Sequence, residues 1–442
     1  MAHLSIRNIG PVKTIDIELN RINIFMGPQS SGKSTVAKIV SFCQWLEKDC
    51  LLHQTVGHVD NAYIKTHLFD YFAMTSCHGK ENAMFHYVGN GIEISYMNNA
   101  VTVNKTSGFQ TMQVSKNLYL PSERNVLGIP GIFTTKMPNC YLLDFLDDWQ
   151  IIRTKYSLDT KRHLLDLKES YFYDSKSNAD MLLLDDGDSI PFSEGSSGIQ
   201  SVTPLCVFID YITEWIYSHD EDKSAYSRRK YRQAAISRYF MGKSETFVRM
   251  LDDIYRKKSP ESERISQQLA DLVDTLNRIQ ENKSDMLPVE DPDTKNLIDE
   301  LTELEHGISR PSLSNLVVEE PEQNLFPDTQ VKLLYFILSK VNYLRDSLII
   351  TTHSPYILYA INNCMLASKV SEEDIDEVAQ AIDIPKDAWV DSNKVSVWEL
   401  DNGIIKGGKT IQDERGLIRG NYFDRVMHNV MADFHTLVDY SE

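Results

Sequence analysis

Apolar and polar residues alternate three times within the first 26 positions. Leu4 and Ile6, then Ile15, Ile17 and Leu19, then Ile22, Ile24 and Met26 recur at every second residue, and Gly10-Pro11 separates the first two runs. Period-two alternation of this kind predicts three short strands, of which only the third need enter a central parallel sheet. From about Lys33 to Glu47 the period lengthens. Val36, Ile39, Val40 and Cys43 then share one face of a helix. Between 53 and about 116 the pattern is weaker, with alternating pieces such as Ile92-Glu93-Ile94-Ser95-Tyr96 and a turn at Met97-Asn98-Asn99, so a β-rich elaboration is expected at about 50–116.

Asn117-Leu118-Tyr119-Leu120 predicts a short strand that runs into Pro121-Ser122-Glu123-Arg124, either bringing two charges to a site edge or forming a surface turn. Residues 140–180 read as helical. Met181-Leu182-Leu183-Leu184 and Ile190-Pro191-Phe192 flank Asp185-Asp186-Gly187-Asp188, the chemistry of a hairpin turn. The small-residue run at 193–201 follows. Beyond it Val202, Leu205, Ile209, Ile212 and Ile216 recur at threes and fours, a buried helix face.

Residues 218–311 are polar, charged and helical in pattern. Ile265, Leu269, Leu272, Leu276 and Ile279 make one apolar seam and Leu297, Leu301, Leu304 and Ile308 another, with Pro288 and Pro292 between them. Two antiparallel helices, either a short coiled coil or a pair packed on the main body, are the simplest arrangement. Leu316-Val317-Val318 and Leu348-Ile349-Ile350 are compact runs of the kind that form buried strands. A helix starting near Pro327-Asp328 lies between them. An acidic helical stretch (372–381), a hairpin around Asp401-Asn402-Gly403 and a terminal helix close the chain.

The third strand leads into Gly27-Pro28-Gln29-Ser30-Ser31-Gly32-Lys33-Ser34-Thr35. A strand, a glycine-bounded loop and a helix opening in that order are the context of the phosphate-loop pattern G-x-x-x-x-G-K-[ST]. Its backbone N–H groups and helix N-terminus cradle phosphates, Lys33 reaches the outer ones, and the Ser34 hydroxyl faces Mg²⁺. A nucleoside triphosphate is therefore the expected ligand. Leu316-Val317-Val318 ends in Glu319-Glu320, which places Glu319 to orient the Mg²⁺ shell and Glu320 to accept a proton from the attacking water. His353, between Thr352 and Ser354, ends the next strand and can hydrogen-bond a terminal phosphate. Ligands of parallel α/β sheets bind at the carboxyl ends of the strands, so the three strand ends are expected to converge.

Composition narrows the setting. A chain of 442 residues allows two or three folding units, or one elaborated domain. The net charge of −18 argues against coating duplex DNA by overall electrostatics, although Arg228-Arg229-Lys230-Tyr231-Arg232 and Arg256-Lys257-Lys258 are local basic clusters. The start lacks the basic segment and apolar run of a secretion signal, and no run of about 20 apolar residues occurs, so a soluble cytoplasmic protein without a membrane partner is expected. Six scattered cysteines lack a C-x-x-C pair. Cys50-Leu51-Leu52-His53 has ligand-like spacing but no second pair, so neither a disulfide framework nor a zinc ribbon is read.

Together, the phosphate loop, Val317-Val318-Glu319-Glu320-Pro321-Glu322-Gln323-Asn324-Leu325-Phe326-Pro327 and Thr352-His353-Ser354-Pro355 resemble the ATP-binding-cassette ATPases of the RecF, Rad50 and SMC class. They are most similar to the branch that includes OLD-family ATPases. Ser196-Ser197-Gly198-Ile199-Gln200 resembles the signature of that class, and Leu4-Ser5-Ile6-Arg7-Asn8 and Pro121-Ser122-Glu123-Arg124 resemble it less specifically.

The resemblance implies an α/β fold of the ABC-type P-loop NTPase, with a mixed central sheet, an N-terminal antiparallel β-lobe and a helical insertion. Residues 1–217 and 312–442 would be the two parts of the ATPase head and 218–311 the insertion. It implies ATP and Mg²⁺ as cofactors, with ATP sandwiched in a head-to-tail homodimer, or a higher oligomer, where Ser197, Gly198 and Gln200 of one subunit face the γ-phosphate held by Lys33 of the other. Glu319 stands where many relatives have Asp, and Ile199 where they have Gly. A glutamine-bearing loop between the lobes is not placed.

OLD-type proteins continue into a Toprim nuclease. Here the residues after His353 read as the closing elements of the head, and Asp374-Ile375-Asp376 lacks the upstream Glu-Gly strand end, so a separate effector is expected. The ATPase subunits of antiphage systems such as Septu and PARIS are the nearest functional comparison. A DNA-repair or DNA-tethering ATPase that grips nucleic acid on its dimer surface is the alternative.

Overall fold

The computed structural model describes residues 2–218, 234–235, 303–304 and 311–440. Most of the expected insertion at 218–311, with its first apolar seam, all of the second but Leu304, and both basic clusters, lies outside the described residues.

The chain opens with an antiparallel pair, β1 (Ala2–Ile9) and β2 (Val12–Leu19), followed by β3 (Ile22–Met26). The glycine loop leads into α1 (Lys33–His53), which runs past Glu47, where the apolar face alone predicts its end. A short helix α2 (Asn61–Ile64) continues into a π-helical turn at Lys65–Asp70, and only then come β4 (Met84–Val88), β5 (Ile92–Met97) and β6 (Ala100–Lys105). The segment expected to be β-rich is thus helical in its first half. Ile64, Leu68 and Phe69 are its buried anchors, at a helical spacing.

β7 (Ser115–Leu120) precedes α3 (Tyr141–Ile152), where the expected helix at 140–180 stops. The remainder forms β8 (Arg162–His163), β9 (Ser170–Asp174) and β10 (Ala179–Leu183), which with β11 (Ser189–Pro191) make a four-stranded antiparallel sheet. The aromatic run Tyr171-Phe172-Tyr173 suits a strand better than a helix, and Asn178 adopts a φ of 53° in the turn that follows it. The hairpin expected around Gly187 is present. Next come α4 (Ser197–Asp210), β12 (Leu313–Glu319), α5 (Pro327–Lys340), β13 (Ser347–Thr352), α6 (Pro355–Ala367), α7 (Ile375–Ala381), β14 (Val395–Asp401), β15 (Ile404–Ile405) and α8 (Tyr422–Asp439).

Eleven strands form one mixed sheet in the order β6-β5-β4-β1-β2-β15-β14-β3-β13-β12-β7. The five from β14 to β7 are mutually parallel. The five from β6 to β2 are antiparallel. The α/β class, with a mixed central sheet and an N-terminal antiparallel lobe, is as expected. Among the described residues the sheet is continued from one half to the other by β15, which pairs with β2 at Ile404↔Thr14 and with β14 at two residue pairs, and the adjoining Gly403 carbonyl accepts from the Lys13 and Thr14 N–H groups.

The parallel strands are covered on both faces, which explains their near-continuous apolar character. Ile22, Ile24, Met26, Leu316, Val318, Leu348 and Ile350 belong to the core beneath α4, α5 and α6. Phe25, Val317 and Ile349 point the other way, into a core with α1 and the antiparallel lobe. All six cysteines are free. No helix among the described residues is long and apolar enough to cross a membrane.

Candidate nucleotide site

The loop after β3 is shaped by backbone rather than side chains. Gly27 has a φ of 145°, and a Cβ there would lie 2.0 Å from the Leu400 carbonyl oxygen of β14, so no other residue fits. Ser30 and Gly32 also have positive φ. Gly32 is the N-cap of α1 and offers no capping side chain, and the first turn carries no acid, so its N–H groups and partial positive charge stay available for an anion. Gln29 and Ser30 are exposed, Pro28 and Ser34 half-buried, Ser31 and Thr35 buried.

Lys33 is only 4% exposed, and its ammonium donates to the carbonyls of Gly27 and Pro28 at 2.9 Å each. Burial pushes it down to about 8, against the pull of Glu320, Glu322 and Glu319. The charge is therefore folded back on its own loop, next to three carboxylates.

Glu319, the last residue of β12, is 3% exposed. Burial pushes its carboxyl up, against Lys38 and the hydroxyls of Tyr119 and Ser34. Its Oε1 is buried without a hydrogen-bond partner. An orphaned carboxylate oxygen beside the Ser34 hydroxyl is an oxygen donor set suited to Mg²⁺. The longer Glu in place of Asp does not prevent that fit.

Glu320 has a φ of 44°, unusual for a residue with a Cβ. The turn is held by its N–H donating to the Thr351 carbonyl at 2.9 Å. Its Oε1 lies 3.2 Å from His353 Nε2. That hydrogen bond, ahead of the charges of Lys33 and Arg124, holds the Glu320 carboxyl below its ordinary range. The side chain is thus an ionised, half-exposed proton acceptor at neutral pH.

Glu322 was not singled out by sequence reasoning. Its Oε1 accepts from the Thr352 hydroxyl at 2.9 Å and from the His353 N–H at 2.5 Å, which sets the turn that aims His353 at Glu320. Ser354 then caps α6 with its hydroxyl, which also donates to Gln330 on α5. Glu322→Ala is expected to leave both donors unpaired and to lower stability by roughly 1–3 kcal/mol, measured by denaturant unfolding; an unchanged midpoint would show that neither bond matters.

Arg124 resolves the open reading of Pro121-Ser122-Glu123-Arg124. It is fully buried, and its five N–H groups meet five carbonyls. Nε donates to Ser201 at 3.1 Å, Nη1 to Pro121 and Glu319, and Nη2 to Glu320 and Pro321. One guanidinium therefore ties α4 to the backbone of the two-carboxylate turn. The segment leaving β7 beside Glu319 thus brings a buried cation, not a surface turn, to the site edge.

The 193–201 run ends in the N-terminus of α4. Ser196 is the N-cap, accepting from the Ile199 N–H at 3.3 Å, and Ser197 is exposed. Gly198 packs on the turn after β12, where a Cβ would sit 3.0 Å from the Asn324 carbonyl. The Gln200 amide turns inward and donates to the carbonyls of Ser193 and Gly195 at 3.0 Å each, so here it braces its own loop. Of Ser197, Gly198 and Gln200, Ser197 is the one with an exposed side chain.

Lys33, Glu319-Glu320 and His353 thus follow β3, β12 and β13, three adjacent parallel strands, at one end of the sheet. Ser197, Gly198 and Gln200 lie on α4, which meets that end through Gly198 against the Asn324 turn and through Arg124.

No family model matches this chain, and no curated protein does. Among solved structures, it is similar to an SMC head bound to the C-winged helix domain of ScpA, at 9% identity over 81% of this chain and 91% of that one, with a TM-score of 0.35. It is similar to the SMC head domain from Thermotoga maritima at 9% identity, covering 81% and 90%, with a TM-score of 0.31. The recombination mediator RecF of the RecFOR pathway matches at 13% identity, covering 91% and 96%, with a TM-score of 0.28. At these values the functional reading rests on the chain's own geometry.

Proposed function

We propose that the protein is a cytoplasmic, Mg²⁺-dependent ATPase of the ABC type whose nucleotide-driven assembly controls a separate effector, a nuclease or toxin, in bacterial antiphage defence. The observation that carries the ATPase reading is the juxtaposition at the ends of β3, β12 and β13: a buried lysine at the end of a glycine loop, a buried carboxylate with an unpaired oxygen, and an ionised carboxylate touching a histidine.

Each residue has a distinct task. Lys33 leaves the Gly27 and Pro28 carbonyls and pairs with the outer phosphates, which restores the charge that burial disfavours. Ser34 and Glu319 hold Mg²⁺, which neutralises phosphate charge when bound. Glu320 takes the proton of the attacking water, and His353, whose Nε2 orients Glu320 before nucleotide binds, turns that donor toward the terminal phosphate when it does. Ser197 and the N-terminus of α4 face a second subunit's phosphates in a head-to-tail dimer, and Gln200 keeps that loop in shape. The assembly role draws support from α8, which exposes Met427, Phe434 and Leu437 along one side. The defence setting rests on the resemblance of the motif set.

Lys33→Ala is expected to weaken ATP binding roughly 10²-fold or more, since it removes a charge-assisted phosphate contact. A fluorescent-nucleotide titration reads this directly. Wild-type affinity in the variant would overturn the nucleotide site itself.

A further inference from the structure

The far end of α1 carries a second group of ligand-bearing side chains, remote from the phosphate loop. Asp49, His53 and His58 each offer one ligand atom, and these atoms all lie within 4.8 Å of one another. Asp49 and His53 are one turn apart on the same helix face, and the turn at 54–60 returns His58 to them. His58 Nε2 is 2.8 Å from Asp49 Oδ2, and His53 Nδ1 is 3.3 Å from the same oxygen. The imidazole rings lie 4.4 Å apart. The Asp49 carboxylate is 4% exposed, His58 11% and His53 29%, so the cluster is sheltered yet open to solvent on the His53 side.

We propose that Asp49, His53 and His58 form a binding site for a divalent transition-metal ion of the zinc class, with water completing the shell. Two imidazole nitrogens and one carboxylate oxygen are a donor set that such ions accept and that Mg²⁺, which prefers oxygen, does not favour. Ligand atoms at about 2.1 Å from a tetrahedral ion are about 3.4 Å apart. The His53–Asp49 separation is already near that, and the shorter His58–Asp49 one needs only a small side-chain rotation. Without an ion the same atoms share hydrogens: His58 Nε2 with Asp49 Oδ2, and His53 Nδ1 with the Asp49 carbonyl at 2.9 Å. An ion replaces those hydrogens, each neutral ring keeping its proton on the other nitrogen. Tyr63, which donates to Asp49 Oδ2 at 2.7 Å, then becomes a hydrogen-bond partner of a ligand, the kind of outer contact that orients metal carboxylates.

Location assigns the ion a structural task. Along α1, Asp49 and His53 are about 24 to 30 Å from Lys33, beyond reach of the phosphates. Leu51 and Leu52, between Asp49 and His53 or beside them, pack with Val114, Ala234, Ala235 and Leu304. The ion would pin the helix end against which the described residues of the 218–311 segment rest.

The test uses the full, untagged chain, stripped with chelator and titrated calorimetrically with Zn²⁺ in excess Mg²⁺. About one ion per chain is expected, with a raised thermal midpoint that chelator reverses. His58→Gln and Asp49→Asn should each weaken binding at least tenfold. ATP hydrolysis in Mg²⁺ should be unchanged in His58→Gln, which also serves if Asp49→Asn fails to fold. Co²⁺ in place of Zn²⁺ should give the visible absorption of a tetrahedral site, lost in His58→Gln. Absence of saturable Zn²⁺ binding, or equal binding in a His53→Gln, His58→Gln double variant, would overturn the site and leave a hydrogen-bonded cluster alone.

Discussion

Replacing Glu320 with glutamine is expected to lower steady-state ATP hydrolysis by about 10²–10⁴-fold, the range attributable to a general base, while ATP binding persists. The substitution keeps shape and a hydrogen-bonding group toward His353, 3.2 Å away, but removes the proton acceptor. The left-handed turn at Glu320 depends on backbone contacts to Thr351, so the fold should tolerate the change. Phosphate release measures turnover, and light scattering with Mg²⁺ and ATP measures assembly. A variant that holds ATP without hydrolysing it should accumulate as a dimer or larger species if the site closes on a second subunit. Normal turnover would remove Glu320 from the chemistry; a trapped but monomeric ATP complex would refute the shared site and leave the ATPase intact.

Arg124→Met is expected to be the most destabilising single change in the site, on the order of 3–5 kcal/mol, because it strips partners from buried carbonyls without opening them to water. The carbonyls belong to Pro121, Ser201, Glu319, Glu320 and Pro321. Arg124→Lys should recover little, since an ammonium presents three donors from one point and cannot span a planar fork. Denaturant unfolding of the two variants provides the comparison. A loss below about 1 kcal/mol in the methionine variant would mean that these carbonyls find other donors. Because the same guanidinium joins α4 to the two-carboxylate turn, turnover should fall in Arg124→Lys even where the protein remains folded.

What could be read from the sequence was what depends on near neighbours. The glycine loop is a contiguous string whose strand and helix announce themselves by period, and Glu319, Glu320 and His353 come at the ends of compact, β-branched-rich apolar runs of the kind that form buried strands. Arg124 was ambiguous because its role is written in carbonyls 77 and 195 residues away, and carbonyls leave no trace in a residue alphabet. Glu322 hid inside an acidic turn where three carboxylates share a neighbourhood and only geometry separates their tasks. The misassigned stretch after α3 failed for another reason: Tyr171 and Phe172 fit either period, and burial against Trp149 and Phe192 favours the strand. His58 is separated from α1 by an irregular turn, so spacing alone could not associate it with Asp49. A Cys-x-x-His spacing drew attention to His53 but paired it with the wrong neighbour.

The narrow seam at β15 gives the two halves of the sheet different responses to temperature. Across the parallel half, each strand is knitted to the next by at least five register pairs. The antiparallel lobe crosses to it through Ile404↔Thr14 and the bonds of the Lys13 and Thr14 N–H groups to the Gly403 carbonyl, and is otherwise held largely by apolar contact with α1, such as Phe42 edge-on to Phe85, besides the bonds of Glu47 to Gly91 and Tyr87. Apolar burial weakens on cooling, and the lobe has few backbone bonds to the parallel half to hold it in place when it does. Cold should therefore loosen the lobe before the strands that carry Lys33, Glu320 and His353, and the molecule would chill from one side.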